Sequence, residues 1–74
     1  MQLPSLAIHL LNRLYACGAI PWAVVLADGD RTERAARHLV ALDLVRIERW
    51  PDRHLQLTAA GRGELSRRRR WNVG

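Results

Sequence analysis

The sequence predicts an α+β fold, mostly helical, made of three helices, a two-stranded β-hairpin and a closing C-terminal helix. Three observations predict it. Apolar residues recur at helical spacing near the N-terminus and again in a stretch beginning near residue 31. From Leu44 the period drops to two, on both sides of a Trp-Pro-Asp break. Helical character resumes after Thr58. The 74 residues allow one domain, 1–74, with residues 67–74 expected as a basic tail. Apolar residues make up 49% and charged ones 26%, a globular balance that excludes a disordered chain.

Pro4 and Ser5 mark the start of the first helix and Gly18 its end. Leu3, Leu6, Ala7, Leu10, Leu11 and Leu14 recur at helical spacing, and Ile8 and Tyr15 widen the stripe. Leu3, Leu6, Leu10 and Leu14 are assigned to the core. Ile8, Leu11 and Tyr15 extend past it and, with Leu65 and Trp71, predict a homodimer surface; the competing place for Ile8 and Leu11 is the core beneath the hairpin. Cys17 is the sole cysteine, so no internal disulfide forms, and it is expected as a small apolar core residue. Pro21 opens a short second helix, Trp22 to Ala27.

Asp28-Gly29-Asp30 is a turn signal, after which Asp30 and Glu33 have the spacing of an aspartate-led capping box. The third helix is expected from Arg31 to Leu42. Thr32, Ala36, Leu39 and Val40 share one face; Arg34, Arg37, His38 and Ala41 share the opposite one, with Arg31 at its edge. Val45 and Ile47 alternate with Arg46 and Glu48, and Leu55 and Leu57 with His54 and Gln56, as two paired strands require. Arg49 and Arg53 flank the hairpin tip, and Trp50 is expected either to pack on the hairpin's outer side or to touch a partner. Thr58 caps the last helix, which Gly61 and Gly63 weaken.

Charge points to the class of partner. Twelve basic residues, all arginine, stand against seven acidic ones, for a net +5. That excess favours a polyanion, and arginine's planar fork suits phosphate and guanine. A genome rich in G and C accounts equally well for the choice of arginine over lysine, though not for the net charge.

Two stretches carry a resemblance to a known family. Arg37-His38-Leu39-Val40-Ala41-Leu42-Asp43-Leu44-Val45-Arg46 is similar to the passage from recognition helix to wing in winged helix-turn-helix proteins, with Asp43 where that family usually has glycine. Leu55-Gln56-Leu57-Thr58-Ala59-Ala60-Gly61-Arg62-Gly63-Glu64-Leu65 resembles the family's second wing strand, threonine cap and glycine-containing helix start. The resemblance is to the MarR-like and PadR-like regulators and covers nearly the whole chain. It implies that the third helix enters the major groove of double-stranded DNA and that the wing lies on the backbone or in the minor groove.

The DNA-binding residues expected on these grounds are Arg31, Arg34, Arg37, His38, Arg49, Arg53, Arg67 and Arg68. The plainer alternative for the third helix is a solvated face carrying a Glu33–Arg37 pair. For the run Arg67-Arg68-Arg69-Arg70 it is a solvated end. Catalytic and metal-binding residues are not expected: His9, His38 and His54 fall on three elements, and Ser5 and Ser66 lack a base. Nor is any cofactor, small-molecule ligand or membrane span expected, and a cytoplasmic location follows from the lack of a leader pattern. The expectation is a repressor-like transcriptional regulator of viral or prokaryotic kind. The alternatives are a protein–protein interaction module, or an accessory DNA-binding protein in replication, recombination or packaging.

Overall fold

The computed structural model describes residues 3–72, with side chains as far as residue 68. Seven elements follow in order: α1 (Ser5–Cys17), β1 (Ile20–Pro21), α2 (Trp22–Ala27), α3 (Asp30–Ala41), β2 (Val45–Glu48), β3 (His54–Leu57) and α4 (Ala59–Asn72). Four helices thus surround a three-stranded antiparallel sheet of order β1-β3-β2. Among the described residues no helix is long and apolar enough to cross a membrane.

α1 buries Ala7, Leu10, Leu11 and Leu14, a run of i, i+3, i+4 and i+7 that lies on one helical face. Leu11 sits within that stripe and has no exposed surface, which corrects its assignment to a dimer surface in favour of the core. Ile8 and Leu6 are half-buried on the two flanks, and Tyr15 is exposed. Leu65 is likewise core, at 2% exposure, and leaves the expected dimer surface. Cys17 is exposed rather than buried. It comes one turn after Leu14, the last α1 residue to reach the core, where the chain is already leaving the helix. Gly18 takes a φ of 86° there and donates its N–H to the Leu14 carbonyl at 2.8 Å.

β1 was not anticipated by the period analysis. Its two residues pair with β3, Ile20 opposite Leu55 and Pro21 opposite His54. Two residues are too few to show alternation, and their strand character comes from β3 being available beside them.

α3 starts one residue earlier than expected, at Asp30. Gly29, with φ 108° and ψ 174°, occupies the N-cap, a backbone conformation open mainly to glycine. The Asp30–Glu33 capping box therefore does not form. Glu33 gives its carboxylate to Arg37 instead, and Asp28 Oδ2 accepts from the Thr32 hydroxyl at 3.0 Å. The helix ends in a Schellman arrangement: Leu44 N–H bonds the Leu39 carbonyl and Asp43 N–H the Val40 carbonyl, both at 3.0 Å. Asp43 takes the left-handed φ of 61° that this motif needs, which aspartate tolerates better than most residues.

The hairpin register places Val45 opposite Leu57 and Ile47 opposite Leu55 toward the core, with Arg46 opposite Gln56 and Glu48 opposite His54 on the outer face. Thr58 then starts α4. Its hydroxyl accepts from Gly61 N–H at 3.0 Å and donates to the Asp43 carbonyl at 2.6 Å, so one side chain ties the end of α3 to the start of α4. α4 packs on α1 and β3 and is helical through Asn72, so residues 67–72 are helix and not a tail.

Candidate nucleic-acid interface

The outward face of α3 follows from what its inward face buries. Thr32, Ala36 and Leu39 lie in the core, and Arg34, Arg37, His38 and Ala41 are exposed on the far side, with Arg31 exposed at the edge. The arginines differ in their partners. Arg31 and Arg34 form no ion pair among the described residues. Arg37 Nε bonds Glu33 Oε2 at 2.9 Å, and its guanidinium lies over the Trp22 ring, 5.3 Å from the centroid. Arg37 is thus drawn toward α2. Arg31, Arg34 and His38 line the other flank together, in an open groove of about 380 Å³ shared with Pro4, Leu6 and Ala35.

The hairpin supplies the second cluster. Arg49 and Arg53 follow and precede the last strand pair, Glu48 opposite His54, so they flank the loop Trp50-Pro51-Asp52 at its base. Both are exposed and form no ion pair among the described residues. A chain of polar contacts runs up the outer face below them. Arg46 Nε pairs with Glu48 Oε1 at 2.7 Å, and Arg46 Nη2 donates to Gln56 Oε1 at 3.3 Å. Gln56 Nε2 bonds His54 Nε2 at 3.1 Å, and His54 Nδ1 bonds the Asp52 carbonyl at 2.6 Å. A carbonyl can only accept, so Nδ1 is the donor to Asp52, and the Gln56 amide nitrogen faces Nε2 as a donor. This polar strip leaves no apolar seat on the hairpin's outer side. Trp50 accordingly does not pack there; it is 84% exposed.

Trp22 joins the two clusters, a role the sequence did not reveal. Its ring lies under Arg37, and its backbone N–H donates to the Arg53 carbonyl at 2.9 Å. The start of α2 therefore fixes the hairpin tip relative to α3. An aromatic residue directly after Pro21 is a signal for the Arg37 contact alone, since the bond to Arg53 is made by the backbone.

Known proteins offer no match. No family model, curated protein or solved structure is similar to the chain.

Arg67 and Arg68 lie on α4. Arg67 Nη2 bonds Glu64 Oε1 at 2.9 Å, and Arg68 Nε pairs with Glu64 Oε2 at 3.1 Å. The hydrogen bond from Arg67 holds the Glu64 carboxyl below its usual range, against the burial that would raise it, and the charges of both arginines add to the lowering. The side chains of Arg69, Arg70 and Trp71 lie outside the described residues. The eight expected binding residues thus divide into three groups: Arg31, Arg34, Arg37 and His38 on α3; Arg49 and Arg53 beside it through Trp22; and Arg67 and Arg68 committed to Glu64.

Proposed function

We propose that the chain is a winged helix-turn-helix domain that binds double-stranded DNA and acts as a sequence-reading transcriptional regulator. The observation that carries this reading is the pair Arg31 and Arg34, without ion partners among the described residues, on the outward face of a helix whose opposite face buries Thr32, Ala36 and Leu39. A recognition helix needs that division: one face docked on the domain, the other free to reach base edges. The element order of helix, short strand, two helices and a hairpin supports it. Arg34 reads a base, guanine by its bidentate chemistry. Arg31 lies in the first turn of α3, where the helix dipole also favours phosphate. Arg49 and Arg53 hold the backbone beside the wing.

Pairing of two copies remains the proposed way to place two α3 helices on half-sites about 34 Å apart. Of the residues named for that surface, Ile8 and Tyr15 are now the ones that retain exposed area among the described side chains.

One observation favours a second reading, a protein-docking module. α2 has no polar side chain, and Val24 and Leu26 on its outer side are 41% and 49% exposed. On that reading Val24→Asp with Leu26→Glu abolishes partner binding and Arg34→Ala does little.

The test of the DNA reading separates base contact from backbone contact, on a preferred site selected from a random duplex pool. Arg34→Ala costs roughly 1–3 kcal/mol on that site and much less on unrelated DNA. Arg53→Ala weakens both DNAs equally. The same response of both variants on both DNAs would remove α3 as the reading helix.

A further inference from the structure

Trp50 is the most exposed large apolar side chain described, at 84%, and nothing in the fold uses it. It is also not on a loose loop. The five residues between Glu48 and His54 are held at two carbonyls: that of Asp52 by the His54 ring at 2.6 Å, and that of Arg53 by the Trp22 backbone N–H at 2.9 Å. Both anchors lie just C-terminal to Trp50, so they fix the returning limb of the loop and reduce the ordering left for the tip when a partner arrives. The residues on either side of the apex are arginines without ion partners among the described residues.

An exposed indole between two cations matches one ligand chemistry well: a nucleobase with its π face available and phosphates on both sides. Asp52 narrows the choice further. Its charge opposes seating the tip deep between the two phosphate walls of an intact groove. It opposes far less a base that is already unstacked at an open step. We propose that the hairpin tip is a base-stacking finger, in which Trp50 stacks on an unpaired base in duplex DNA while Arg49 and Arg53 hold the flanking phosphates. This rests on the DNA-binding reading above and adds to it a preference for a helix defect.

The test is titration of the whole chain against two short duplexes of the same sequence, one fully paired and one carrying a single unpaired base. Wild type binds the defective duplex roughly tenfold more tightly, the scale of one base–aromatic stack. Trp50→Ala loses that preference but keeps its affinity for the paired duplex, and Trp50→Phe retains much of the preference. Its thermal melt is unchanged, because the side chain touches no core. Indole emission falls on binding the defective duplex in wild type and not in Trp50→Phe, where Trp22 and Trp71 remain. Equal affinity for the two duplexes overturns the finger alone and leaves Trp50 to a protein partner. So does a preference that survives Trp50→Ala. Absence of wild-type binding to either duplex overturns the DNA reading, and the finger with it.

Discussion

Arg34 and Arg37 stand one turn apart on α3 with opposite surroundings, and magnitudes decide what each can do. An exposed i,i+4 pair such as Glu33–Arg37 is worth about 0.3–0.5 kcal/mol, and an exposed cation–π contact about 0.5–1 kcal/mol. Their sum, about 0.8–1.5 kcal/mol, reaches only the lower half of the roughly 1–3 kcal/mol of one good bidentate base contact. Arg37 is therefore held but recruitable, whereas Arg34 has no ion pair to give up among the described residues. Glu64 shows the other outcome. Its side chain is almost fully buried and both of its oxygens are taken by arginines. Because its folded-state pKa lies below the ordinary value of 4.5, its contribution to stability is complete above that value. The contribution is lost as pH falls through the lower folded value. Glu64→Gln is expected to lower stability by about 1–2 kcal/mol at neutral pH, with the gap closing in acid, read from thermal melts of both proteins across the acid range. A gap that persists unchanged into strong acid would show that the side chain's shape matters and its charge does not.

Elements were legible in the sequence to the extent that they repeat a period. α3 and the hairpin have clear inward and outward faces, so their placement and the exposure of Arg31, Arg34, Arg49 and Arg53 followed directly. α1 is apolar beyond one stripe, and there period alone misassigned Leu11, because a flank and a stripe centre are both leucine-rich. β1 and the role of Trp22 depend on what lies beside them in space, β3 and Arg37, which no local pattern encodes. Gly61 was read as a weakness in α4, and the structure gives it a use: a Cβ there would overlap the Leu44 carbonyl, the acceptor of Thr58 N–H. Gly63 faces open space. The two glycines should respond oppositely to alanine. Gly61→Ala is expected to destabilise by about 1–3 kcal/mol through forced backbone separation, and Gly63→Ala to stabilise by about 0.5–1 kcal/mol through helix propensity. Denaturant midpoints of the two variants check this, and equal shifts in one direction would contradict the close approach of α4 to the α3–β2 turn.

At the scale of the whole molecule, the net charge of +5 is unevenly committed. Arg67 and Arg68 neutralise Glu64, and Arg46 pairs with Glu48, whereas four of the six arginines without ion partners among the described residues, Arg31, Arg34, Arg49 and Arg53, stand on α3 and the hairpin tip, the other two being Arg13 on α1 and Arg62 on α4. Binding through that side should neutralise about three phosphates, at Arg31, Arg49 and Arg53, each releasing condensed counterions. Net charge by itself would attract any polyanion, but this distribution ties the salt dependence to named residues. The most direct measurement is duplex affinity as a function of salt, for the wild type and for the double variant Arg49→Ala, Arg53→Ala. The account predicts a slope of log affinity against log salt of about −3, reduced in magnitude by about 2 in the double variant. Duplex binding that is undetectable at low salt, or a slope that the double variant leaves unchanged, would contradict it.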